Sequence, residues 1–147
     1  MKQRVRAVLI TPKNTMLAMR RIRPGIPDYW VLPGGGVEAD DESLEAALLR
    51  EVWEEIAGRA EITGLLYTVE SNGEQQFVYL ARIMEWNFDE RSGPEFSRDD
   101  RGEYWLEEIQ LSAEGLDAID LKPEVIAVEL RKALNDGRLA ASVSIES

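Results

Sequence analysis

Three carboxylates, Glu51, Glu54 and Glu55, fall within the stretch REVWEEIAG that runs from Arg50 to Gly58. A helix holds side chains at i, i+3 and i+4 in one patch. Three hard oxygen donors facing one point, joined by a backbone carbonyl from a tight loop, describe a site for Mg2+ or Mn2+. A solvated acidic face is the plainer alternative, because like charges at this spacing cost only roughly a few tenths of a kcal/mol. Solvated faces usually intersperse lysines, however, and this one has only Arg50 beside it and the glycine run Gly34, Gly35 and Gly36 just upstream.

Composition narrows the chemistry. The chain has 147 residues, no cysteine and no histidine. Disulfides, thiol nucleophiles, Cys/His zinc sites and a histidine acid or base are therefore excluded, leaving carboxylates, hydroxyls, Lys, Arg, Tyr or a bound ion. A formal charge of −11 repels a nucleic-acid polymer over most of the surface. A small anion that arrives with divalent cations is not so disfavoured, since the metal reverses the local sign. The length fits a single domain spanning residues 1–147. No membrane span is indicated, and the N-terminal apolar run is too short for a signal segment, so the expected location is cytoplasmic.

The elements that must position the carboxylates can be read from periodicity. RVRAVLI (Arg4 to Ile10) and MLAMRRI (Met16 to Ile22) read as strands around a turn at Thr11 to Asn14. The Pro/Gly-rich RPGIPD leads into a short strand, YWVL, and then into the glycine loop of PGGGVEADDES. LEAALLREVWEEI has the composition of a strong helix, with Asp41 or Ser43 as its cap and Gly58 as its stop. Leu49, Val52, Trp53 and Ile56, widened by Ala46 and Leu48, are its expected core face, with the three glutamates roughly opposite. EITGLLYTVES and QQFVYLARIME read as two strands joined at Asn72 and Gly73. Asn87 to Gly102 reads as a long loop, EYWLEEI as a strand, and PEVIAVELRKALNDG as a terminal helix beginning near Pro123 and ending at Gly137.

Taken with what precedes it, REVWEE resembles the Nudix box, the signature of hydrolases that act on a nucleoside diphosphate linked to another moiety. Gly36 is followed after five residues by Glu42, and Glu42 after seven by Arg50, Glu51, Val52, Trp53, Glu54 and Glu55. The pattern next asks for any residue, Gly and an aliphatic residue, where this chain has Ile56, Ala57 and Gly58. A helix one residue longer before its glycine stop would explain that departure. The YWVLPGGGVE and WLEEI segments around the box are also similar to common Nudix surroundings.

The resemblance implies an α/β fold, a Nudix-type α/β/α sandwich with a mixed β-sheet and a loop-helix-loop catalytic motif. It implies that Glu51, Glu54, Glu55 and the Gly36 carbonyl bind Mg2+ or Mn2+, and that Arg50 and Glu42 pair to hold helix and loop together. The implied activity is a pyrophosphatase, cleaving the pyrophosphate bond of a nucleoside triphosphate, nucleotide sugar or similar compound by attack of a metal-activated water. The general base stays open between Glu54, Glu55 and a loop acid, Glu95, Asp99, Asp100 or Glu103, with Glu103 favoured because it immediately precedes the Tyr104 and Trp105 strand. Arg20, Arg21 and Arg23 could reach phosphates, and Tyr29, Phe77, Tyr79 or Trp86 could stack on a base, although packing is the ordinary role for each. A non-catalytic Nudix-fold nucleotide sensor is the second reading; it would be expected to have lost a box glutamate, and this chain retains all three. The resemblance leaves a homodimer open.

Overall fold

The computed structural model describes residues 2–90 and 103–139. β1 (Lys2–Ile10), β2 (Thr15–Arg23), β3 (Ile26–Val31) and β4 (Gly34–Gly36) precede α1 (Leu44–Ile56). β5 (Arg59–Ser71) and β6 (Glu74–Glu85) follow, then a single 3-10 turn at Phe88–Glu90, β7 (Glu103–Gln110), α2 (Ala113–Asp117), β8 (Leu121–Lys122) and α3 (Glu124–Asn135). The strands form one sheet in the order β5-β6-β1-β2-β3-β8, with β4 added to β1 and β7 to β2. It is mixed: β1 runs parallel to β6 and β3 to β8, and the other pairs are antiparallel.

Strand alternation divides the core between two helical layers. Val5, Ala7 and Leu9 of β1 pack with Ala47, Leu48, Val52 and Ile56 of α1, whereas Val8 and Ile10 pack with Ile126, Leu130 and Ala133 of α3. The expected helix–sheet–helix layering is thus present. No helix among the described residues is long and apolar enough to cross a membrane.

Two hairpin turns lie where the turn residues put them. Asn72 and Gly73 take φ of 53° and 76° between β5 and β6, the doubly left-handed turn that suits a two-residue hairpin. Gly25, at φ 75°, turns β2 into β3 inside the Pro/Gly-rich stretch, which forms a second hairpin.

Three expectations for the box region are corrected. The glycine loop is a strand: Gly34, Gly35 and Gly36 pair with Arg6, Val5 and Arg4 of β1. A Cβ at Gly34 would stand 2.0 Å from the Val5 carbonyl oxygen, so only glycine lets the two backbones approach so closely. The buried face of α1 is Ala47, Leu48, Val52 and Ile56, while Leu49 and Trp53 are 42% and 49% exposed; the apolar arc is centred one residue away from the expected one. Finally, α1 is not extended. It ends at Ile56, and Ala57 itself takes the left-handed conformation, φ 48° and ψ 41°. Its N–H bonds to Trp53 O, and Gly58 N–H reaches back to Val52 O at 3.4 Å, closing the helix at the position where the box has its glycine.

Candidate active site

β1 changes neighbours along its length, and the site sits where it does so. Its first half, Arg4 to Arg6, pairs with β4, and its end, Leu9 and Ile10, pairs with β2. Beside this fork lies a cavity of about 780 Å³, a size suited to a small ligand. Glu51 and Glu55 enter it from α1; Arg4 and Arg6 come from β1, and Arg21 from β2. Tyr104 of β7, Lys122 of β8, and Pro123 and Glu124 at the start of α3 complete much of the wall.

The glycine strand sets the place of both glutamates. Glu51 is 9% exposed, and its carboxylate lies against Gly35, where a Cβ would be 2.4 Å from the Glu51 Cδ. Glu55 Oε1 accepts the Gly34 N–H at 2.7 Å. Glu54 does not border the cavity; it faces Arg50 instead, 3.4 Å from Nη1. Among the described residues no three acidic side chains are gathered closely enough to enclose an ion. The box therefore brings two carboxylates and the Gly36 backbone to the cavity and leaves Glu54 at its margin.

Arg50 ties this arrangement together, through a partner other than the expected one. Its Nε and Nη2 donate to Asp41 Oδ1 and Oδ2, both at 2.9 Å, and Nη2 also donates to the Gly36 carbonyl at 3.1 Å. Nη1 donates to Glu51 at 3.1 Å and lies 3.6 Å from Glu38. Glu42 is exposed and makes no ion pair with Arg50 among the described residues. The reason is local: Asp41 Oδ2 also accepts the Glu38 N–H at 2.7 Å, which folds the loop so that position 41 faces the helix. The cap of α1 is Ser43, whose Oγ accepts from Ala46 N–H at 3.0 Å, leaving Asp41 free for Arg50. The guanidinium holds the Asp41 carboxyl below its ordinary value, helped by the Glu38 N–H, and Asp41 in turn raises Arg50.

The basic wall is built as carefully. Arg6 Nε donates to Gln76 Oε1 and its Nη1 to the Leu32 carbonyl, both at 3.2 Å. Burial pushes Arg6 below its ordinary value, against the opposing influence of Glu55. Arg4 pairs with Glu74 at 2.9 Å. The Arg21 guanidinium carbon lies 3.9 Å from the Tyr104 ring centre and 5.7 Å from that of Tyr29, a stacked arrangement that fixes its plane.

Of the other expected residues, Glu103 is placed away from the cavity. It is exposed and accepts from Trp105 Nε1 at 3.1 Å, on the face opposite to Tyr104 because strand neighbours alternate. Glu95, Asp99 and Asp100 lie outside the described residues. Arg20 is engaged by Asp28 and Glu107, Arg23 is exposed, and Phe77, Tyr79 and Trp86 pack in the core on the α1 side. Arg4, Arg6 and Lys122 were not singled out from the sequence, and Asp41 was read there only as a possible helix cap. Only Arg4 and Arg6 carried a signal there, since their spacing of two puts both on one face of a strand.

Comparisons with known proteins place the whole chain. The family model described as NUDIX domain matches residues 1–130. Human diphosphoinositol polyphosphate phosphohydrolase 3-beta is 37% identical over 62 residues, which are 40% of this chain and 37% of that protein. The match thus spans little more than a third of the relative's length. A NUDIX-family hydrolase from Clostridium perfringens superposes with a TM-score of 0.67 at 17% identity, covering 91% of this chain and 96% of that one. An ADP-ribose pyrophosphatase from Streptococcus suis gives 0.66 at 19% identity, covering 93% and 92%. At these identities the solved structures speak for the fold, a mixed sheet with flanking helices, while the match along nearly all of the sequence speaks for descent: this chain belongs to the NUDIX domain family.

Proposed function

We propose that this protein, read as a single Nudix domain, is a divalent-metal-dependent pyrophosphohydrolase that cleaves the diphosphate bond of a nucleoside diphosphate derivative or a similar phosphoanhydride. The observation that carries the reading is the meeting of Glu51 and Glu55 with Arg4, Arg6 and Arg21 across one cavity. Acids on one side suit cations, bases on the other suit phosphates, and a metal diphosphate needs both.

The donors fit Mg2+ or Mn2+ in type, since Glu51, Glu55, the nearby Glu54 and the Gly36 carbonyl are all hard oxygens. Because the side chains do not close a cage, water and phosphate oxygens would complete the shell, the usual habit of Mg2+. When bound, such an ion lowers the pKa of the attacking water and offsets the charge of the diphosphate. The protein's own residues do the rest. Arg50 spaces Glu51 from Glu54 and fixes the Gly36 carbonyl, the β4 backbone orients Glu55, and the arginines hold the phosphates in line for attack. Glu55, which borders the cavity, and Glu54 beside it are the bases this arrangement favours, in place of Glu103.

Retention of all three box glutamates favours catalysis over the sensor reading. Phosphate release from a panel of nucleoside triphosphates, nucleotide sugars and other diphosphates, with Mg2+ or Mn2+, tests this. Turnover that falls by about 10²-fold or more in Glu54→Gln is expected. Tight binding of one compound with hydrolysis of none would instead identify a sensor.

A further inference from the structure

Two large apolar side chains of α1 have no place in the core. Leu49 and Trp53 stand one turn apart and nearly half exposed, and neither lines the cavity that Glu51 and Glu55 enter. Residues four apart on a helix form one stripe. Each of the two lies two positions from Glu51, so at about 100° per residue both face away from it. We propose that this stripe is a homodimer interface: a second copy of the chain packs its α1 antiparallel to the first about a two-fold axis, with Leu49 of each copy against Trp53 of the other.

Charge complementarity selects both the occupant and its orientation. Glu42 and Glu45, both exposed, precede the stripe at the start of α1. Arg59, also exposed, follows it, with its guanidinium carbon 5.2 Å from the Trp53 ring centre. Among the described residues none of the three makes an ion pair; Glu85 is opposite Arg59 in the β5 and β6 register without pairing with it. Two copies laid parallel would set acids against acids and Arg59 against Arg59. In the antiparallel arrangement Glu45, one turn before Leu49, overlies the residues just past Trp53 of the other copy, where Arg59 stands. A two-fold contact makes every such pair twice, so one sequence supplies both the apolar knobs and the charges that flank them.

The surroundings suit such a contact. A depression of about 390 Å³, lined by Trp53, Ala57, Arg59, Glu85, Trp86 and Asn87, extends the surface beyond the end of the helix. Tryptophan and arginine are the side chains that most often dominate interface energies. The formal charge of −11 per chain opposes association at long range, but at physiological salt that repulsion is screened beyond about 8 Å. Because Glu51 and Glu55 point the other way, both cavities stay open in the dimer, and the interface does not depend on the hydrolase reading.

Sedimentation velocity of the full chain at physiological salt, over about a hundredfold range of concentration, tests the proposal. A monomer–dimer equilibrium is expected, which Leu49→Asp and Trp53→Ala each weaken at least about tenfold. Glu45→Arg and Arg59→Glu should each weaken it as well, whereas the double variant carrying both should recover most of the loss, because the charges then meet in reversed order. All four positions are exposed or at the helix surface, and thermal unfolding of each variant separates a lost interface from a lost fold; Glu45→Arg and Leu49→Asp suffice if the changes near Glu85 fail to fold. A monomer at every concentration overturns the proposal, as does a dimer that Leu49→Asp leaves intact or a folded double variant that recovers nothing. Hydrolysis measured on the same samples bears only on the proposed function.

Discussion

The guanidinium of Arg50 divides its donors between an anchor and a site. Nε and Nη2 grip Asp41 and Gly36, and Nη1 lies between Glu51 and Glu54. A guanidinium held by two parallel bonds to one carboxylate cannot swing, so the anchor fixes how far apart the two glutamates stand. Asp41→Asn is therefore expected to lower kcat/KM about 10–100-fold, the usual cost of losing a partner that orients metal ligands, with Asp41→Glu restoring part of it. Glu42→Gln, at an exposed position, should stay within about twofold; equal losses in steady-state assays of the two variants would refute the assignment. Asp41 also has a pH signature. Its pKa is lowered in the folded chain from an ordinary 3.8, so its contribution to stability is present above that value and is lost as pH falls through the lower folded one. Urea titrations below about pH 4 should show a shallower acid loss in Asp41→Asn than in the parent.

At the scale of elements, β4 and the end of α1 show what glycine does here and where it is missing. Gly34 and Gly35 let β1 and Glu51 come close, and any side chain at either would push the strand or the carboxylate out of place. Ala57 is the converse case: it holds a left-handed conformation at φ 48° without being glycine. That conformation costs a side chain about 1–2 kcal/mol, part of which glycine gives back through its greater freedom when unfolded. Ala57→Gly should thus raise stability by about 0.5–1 kcal/mol, read as a higher urea midpoint at unchanged m. A lower midpoint would mean that the Ala57 methyl packs usefully.

For the whole molecule, a charge of −11 means that the divalent binding proposed above would stabilise the fold as well as serve catalysis. A ligand that binds only the folded chain contributes about 2.7 kcal/mol at a hundred times its Kd. In a chain of this size that corresponds to a rise in Tm of about 5–10 °C. Mg2+ or Mn2+ should produce a saturable rise that EDTA reverses and Glu51→Gln diminishes. An equal rise from NaCl at matched ionic strength would point to general screening instead of a site.

The sequence by itself determined what is local. The alternation of β1, the helix over Leu44–Ile56, the Asn72 and Gly73 hairpin and the spacing of the box glutamates all follow from short-range periodicity and turn chemistry, and the box spacing also carried the family resemblance. Which acid holds Arg50, which side of α1 is buried, and that Glu55 borders the cavity while Glu103 does not, were decided only by tertiary structure. Each depends on a contact between segments whose relative rotation no periodicity specifies. The basic wall is the clearest case. Arg4 and Arg6 become part of the site because β1 leaves β4 for β2 partway along its length, and that fork is a property of how strands pair, set by packing across the whole sheet.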